Sequence, residues 1–144
     1  MKLFPKLGEA LSYALQHISD PKRSFLIDVQ TPDDRRKGHA CSIQFVDQSI
    51  VSVADEAGVA MYLAFDKTTG SQMELERFRC LQERSQFTDI SDDPDIECFA
   101  MAFGSDVSKA VLMASIVLVS VYHLTVDDEI ACTFYDQTNH QMNN

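Results

Sequence analysis

The chain has 144 residues, 45% apolar and 24% charged, with 12 basic and 22 acidic side chains giving a formal charge of −10. That length suits a single hydrophobic core, and the apolar content excludes global disorder. Residues 1–40 balance at +2 and residues 41–144 at −12, so general affinity for nucleic acid or anionic lipid, which needs Lys and Arg to neutralise phosphates, is not expected, and a basic protein partner is the better match.

Leu3, Phe4, Leu7, Leu11, Leu15 and Ile18 recur at three- and four-residue steps, which predicts a helix from Pro5 to Ser19 ended by Asp20-Pro21. From Ser24 the period becomes two. Phe25, Ile27 and Val29 form one strand face, and Cys41, Ile43 and Phe45 another. The turn formers of Thr31 to Gly38 between them predict an antiparallel hairpin with a cationic tip, Arg35-Arg36-Lys37, of the kind that shields a sheet edge from aggregation. A reversal at Asp47-Gln48 leads to a third strand at Ile50, Val51 and Val53. Asp55 to Gly58 breaks the pattern, and Val59 to Phe65 fits either a strand or a short helix.

Met73, Leu75, Phe78 and Leu81 predict a helix from Ser71 to Arg84, and Thr88 to Asp95 reads as loop. A strand follows in which Phe99, Met101 and Phe103 share a face. Ser105 is the expected N-cap of a helix from Val107 to Leu124 that is apolar on almost every side and therefore buried. Its β-branched run, Ile116, Val117, Val119 and Val121, keeps a strand open for the second half. Glu129 to Tyr135 alternates as a last strand before a polar tail, 137–144. The expectation is one α+β domain over residues 1–144: a largely antiparallel sheet of four to six strands with about three helices packed on it, the N-terminal helix first and a buried apolar helix near the C-terminus.

Catalytic and cofactor patterns are lacking. The five glycines make no phosphate-cradling loop. His17, His39, His123 and His140 are scattered, and Cys41, Cys80, Cys98 and Cys132 lack the short spacings of a zinc site, so the cysteines read as reduced thiols and neither metal nor cofactor is expected. His123 reads as a cap on the apolar helix; a dyad with Cys98 or Cys132 requires the fold to bring imidazole and thiol together. Met1 to Lys6 has no leader-like apolar segment, and Ala110 to Tyr122 is only thirteen residues between Lys109 and His123, too short to span a membrane. The expected location is cytoplasmic. Asp92, Asp93, Asp95 and Glu97 lack the glycine and terminal glutamate of a calcium loop.

The functional expectation is a non-enzymatic acidic module that binds a basic surface of a partner protein, in the manner of acidic inhibitors and immunity proteins. Its partner-binding candidates are Asp89, Asp92, Asp93, Asp95 and Glu97, then Asp127, Asp128 and Glu129. A helix leading into a strand meander is also similar to the element order of small acidic secretion chaperones of the type III class. That resemblance is architectural; it implies binding of an effector client, a homodimer and exposed apolar patches. A third reading is a metal-assisted hydrolase using the clustered carboxylates.

Overall fold

Proline at the start, a leucine stripe and no β-branched residue before Ile18 make the first helix, α1 (Pro5–His17), which buries Leu7, Leu11 and Ala14 beneath Phe4. The computed structural model describes residues 4–17, 23–38, 41–51 and 57–138. After α1 come β1 (Arg23–Gln30), a short α2 (Pro32–Arg36), β2 (Ile43–Asp47), β3 (Val59–Asp66), α3 (Gln72–Arg79), a 3₁₀ turn (Gln82–Gln86), β4 (Thr88–Asp89), β5 (Ile96–Gly104), α4 (Val107–Ser120) and β6 (Ala131–Thr138). All six strands form one antiparallel sheet in the order β4-β5-β3-β2-β1-β6. The fold is α+β, with the N-terminal helix first and a largely buried α4, as the periodicities predict.

One sheet face carries the core. Phe25, Ile27 and Val29 of β1, Ile43 and Phe45 of β2, Met61, Leu63 and Phe65 of β3, and Phe99, Met101 and Phe103 of β5 pack with the buried sides of α1, α3 and α4. Phe78 of α3 centres an aromatic cluster, its ring 4.8 Å from Phe99, 5.4 Å from Phe65 and 5.1 Å from Phe87. Within α4, Ser115 is fully buried and donates to the Val111 carbonyl (2.8 Å), which satisfies its hydroxyl inside an apolar helix. The alternate residues, among them Leu26, Val46, Tyr62 and Cys98, lie outside this cluster on the other face.

Several expectations change. The third strand is Val59–Asp66, so the ambiguous segment is strand and Ile50 is in a turn, 53% exposed. The cause is local: Asp47 Oδ1 accepts from the Ser49 N–H and hydroxyl, and the Ile50 N–H bonds the Asp47 carbonyl, turning the chain out of the sheet before Ile50 can pair. Val53 and the break at Asp55-Glu56 lie outside the described residues. Gly58 closes that excursion, where a Cβ would stand 2.7 Å from the Gly104 Cα.

The helix predicted from Ser71 to Arg84, α3, stops at Arg79, because Leu81 adopts an extended conformation and the chain restarts as 3₁₀. The loop at Thr88 contains a two-residue strand. Asp106, not Ser105, caps α4 through its side chain to the Lys109 N–H, and the β-branched run stays helical because it is buried against the core. His123 does not cap; it occupies a left-handed turn (φ 57°) beyond the helix. β6 runs to Thr138, two residues into the stretch read as tail, and 139–144 lie outside the described residues, as do the helix end at Asp20-Pro21, His39 and His140. Among the described residues no helix is long and apolar enough to cross a membrane.

Candidate functional site

Strand register decides which acids are neighbours. Ala131 of β6 pairs with Gln30 of β1, Val29 with Ile43 of β2, Gln44 with Tyr62 of β3, and Asp66 of β3 with Ile96 of β5. The start of β5 and the start of β6 therefore lie at the same end of the sheet. Asp92, Asp93 and Asp95 precede one, and Asp127, Asp128 and Glu129 precede the other. Four strand spacings of about 4.8 Å separate them, roughly 19 Å across the sheet end.

In the first cluster, Asp89 sits on β4 and is held below the usual carboxylate range by hydrogen bonds from the Ser91 side chain and backbone. Asp93 bridges Ile96, and its Oδ1 accepts from the Asp95 N–H at 2.8 Å. Asp89, Asp92, Asp93 and Asp95 are all exposed. Glu97 differs. Its carboxylate, 18% exposed, meets Arg79 of α3 and lies 3.6 Å from Lys67, tying β5 to the turn after β3 and to α3.

In the second cluster, Asp127 and Glu129 are exposed, while Asp128 Oδ2 accepts from the Thr125 N–H (2.8 Å) and folds the turn that delivers β6. Among the described residues, none of the candidate acids apart from Glu97 is in an ion pair.

Between the clusters lies a cleft of about 540 Å³ whose walls include the acids Asp33, Asp34, Glu74 and Asp128, the cations Arg36 and Lys37, and Cys41, Ser42 and Tyr122. Asp34 is buried within a reciprocal cap: the Thr31 N–H donates to its Oδ2 (2.9 Å), its own N–H donates to Thr31 Oγ1 (3.0 Å), and the Ser42 hydroxyl donates to Oδ2 (2.6 Å). Burial and these carboxylates both act on the neighbouring thiol and phenol. Burial, then Asp28 and Asp34, push the Cys41 thiol up to about 12; burial, then Asp34 and Glu74, push the Tyr122 phenol above its ordinary range.

The cationic tip is spent locally. Arg36 and Lys37 pair with Asp33 at 3.1 and 3.0 Å, and Arg35 donates to the Glu129 carbonyl. It also belongs to β1 and β2, which are interior strands, so it does not shield a sheet edge as expected.

Sequence reasoning missed the cleft. A strand followed by Thr31-Pro32-Asp33-Asp34 carried the cap signal, since Thr and Asp three apart around a proline make a helix start. Nothing local pointed to Glu74 or Tyr122, which come from α3 and the bend after α4. The candidate dyad is not assembled around Cys98, whose sulfur meets the Tyr62 hydroxyl at 3.0 Å, and His123 is exposed. All four cysteines are free, and among the described residues no three His, Cys, Asp or Glu side chains are gathered to hold a metal ion.

Comparison of the chain with family models, with curated proteins and with solved structures finds no match.

Proposed function

We propose that this chain is a non-enzymatic protein-binding module whose acidic sheet end receives a basic surface of a partner protein. The reading is supported by one observation above the rest: two groups of carboxylates, Asp89, Asp92, Asp93 and Asp95 in one and Asp127 and Glu129 in the other, are exposed, have no ion pair among the described residues and share an end of the sheet. At an ionic strength of 0.1 M the Debye length is about 10 Å, so clusters about 19 Å apart act as separate attractors and the partner must present two cationic regions. Charge of this kind sets encounter rate and orientation, while affinity comes from a few anchored side chains. Glu97 is excluded from the contacting set on this reading, because Arg79 and Lys67 already occupy it.

The test is capture of partners from native extract by the tagged chain, at low and high salt, beside a variant carrying Asp92→Asn, Asp95→Asn and Asp127→Asn. A basic protein recovered in near-equal amount, released by salt, and bound by the variant with an association rate lowered about tenfold or more is the expected result. A partner held equally by both forms at every salt concentration would overturn the reading.

A further inference from the structure

A carboxylate taken out of water ordinarily meets a cation or a full set of donors. Two that line the cleft do not. Asp34 is 8% exposed and spends Oδ2 on the Thr31 N–H and the Ser42 hydroxyl. Its Oδ1 accepts no hydrogen bond, and among the described residues no cation pairs with either oxygen. Glu74 comes to the same cleft from the first turn of α3. Its Oε2 is closed to water and meets no donor among the described residues, while Oε1 lies 3.8 Å from Arg77 Nη2, beyond hydrogen-bond distance. The Glu74 side chain is 28% exposed, and a turn about its last bond exchanges the two oxygens, so either one can be presented to the cleft.

The two carboxylates act on one place. Tyr122 donates its hydroxyl to the Ser42 carbonyl at 3.2 Å, and, after burial, Asp34 and Glu74 are the groups that raise its phenol. The cations of the wall are engaged elsewhere: Arg36 and Lys37 both pair with Asp33, at 3.1 and 3.0 Å. Four acids thus stand against two cations, a balance of −2, and the excess lies with Asp34, Glu74 and Asp128. The volume of about 540 Å³ falls within the roughly 300–1,000 Å³ of small-ligand sites.

We infer that this cleft binds a guanidinium group, held between the carboxylates of Asp34 and Glu74. The inference deepens the proposed function and rests on it for the source of the group: an arginine of the partner's basic surface is the anchored side chain, and the charged clusters steer it in. A guanidinium presents its N–H donors in a rigid plane and can serve a separate acceptor on each side, whereas an ammonium is a compact, strongly hydrated point charge. A metal ion fits less well, because among the described residues no three His, Cys, Asp or Glu side chains are gathered to hold one.

The test is an NMR titration of the isotope-labelled full chain with Nα-acetyl-arginine N-methylamide, beside its citrulline counterpart of like shape without the charge, its lysine counterpart, and methylguanidine. Expected with the arginine derivative are saturable shifts gathered at the amides of Asp34, Ser42 and Glu74, with a dissociation constant on the order of millimolar. The citrulline compound should give none, and the lysine compound should bind about fivefold or more weakly. Glu74→Gln and Asp34→Asn should each weaken the arginine derivative about tenfold or more. If Asp34→Asn fails to fold, Glu74→Gln decides alone. Tighter binding of the arginine derivative than of methylguanidine supports a protein side chain as the source; the reverse order keeps the guanidinium site and overturns that source in favour of a free guanidino compound. Absence of saturation, equal shifts with citrulline, equal affinity for lysine, or an unchanged affinity in Glu74→Gln overturns the inference. Because the titration needs no partner, its failure leaves the capture experiment standing, and an empty capture counts against the proposed function without touching the site.

Discussion

The two margins of the sheet are built in opposite ways. β4 is two residues long, pairs with β5 only through Thr88↔Ala100 and Asp89↔Phe99, and is followed by Asp92, Asp93 and Asp95. β6 is eight residues long, regular, and almost free of charge. The first has the features that discourage another strand from adding, and the second lacks them. Charge on the acidic margin thus opposes the addition of another strand there, while β6 keeps a long and regular ladder with β1.

The largest expected contrast is in what anchors each margin. Phe99 of β5 is fully buried against Phe65 and Phe78, and the Arg84 guanidinium lies 4.4 Å from its ring centroid. Phe134 of β6 is only partly buried in the isolated chain. Phe99→Ala should cost about 3–5 kcal/mol of unfolding free energy, as full-size aromatic truncations in cores do, and Phe134→Ala about half of that or less when measured on dilute protein. Guanidinium unfolding monitored by circular dichroism supplies both numbers. Equal losses at low concentration would mean that the β6 margin is as closed as the β5 margin, and the comparison would fail.

Proline sharpens the comparison within β6 itself. The Val29 carbonyl accepts from the Ser42 N–H and so faces β2, and alternation turns the main-chain groups of Asp28 toward Thr133 of β6. Thr133→Pro therefore removes an inward N–H and leaves an acceptor on β1 unpaired, an expected loss of about 1–3 kcal/mol in addition to any steric cost. One residue earlier, Cys132→Pro removes an outward N–H and should cost markedly less. Thermal unfolding of both variants at low concentration checks the order, and a reversed order would mean that the outward and inward sets are exchanged.

The fold was readable where one face of an element meets the core. The stripe of α1, the alternation of β1 and β5 and the all-round apolarity of α4 are each a period that burial imposes, and each appears in the structure. It was unreadable where a single side chain overrides the period. Asp47 turns the chain before Ile50, and Leu81, the last member of an apolar series at helical spacing, lies in extended backbone beyond the helix end. The acids of the candidate surface could be named from sequence, but their sharing of a sheet end could not, because that follows from strand order, with β6 returning beside β1 across the sheet from β5. Glu97 shows the same limit in one residue: in sequence it continues an acidic run, and in space Arg79 and Lys67 take it out of that run.

The smallest expected effect concerns the one thiol on the β6 margin. Burial between β6 and α1 pushes Cys132 up to about 11, with nearby Lys6 opposing the shift, from an ordinary value of 9.0. A folded value raised above the unfolded one means that the unfolded chain loses its thiol proton first as pH rises. The corresponding stability is complete below about pH 9 and disappears between about 9 and 11. Cys41, Tyr62 and Tyr122, all raised chiefly by burial, act in the same direction, so the melting temperature of the native chain should fall with alkaline pH. Cys132→Ala removes one of these titrations and should make the fall from pH 9 to 11 shallower than that of the native chain. Melting curves at fixed low concentration across that window read the difference. If the Cys132→Ala variant and the native chain fall alike, the β6 thiol is as solvated in the folded chain as in the unfolded one, and the groove between β6 and α1 is open to water along its length.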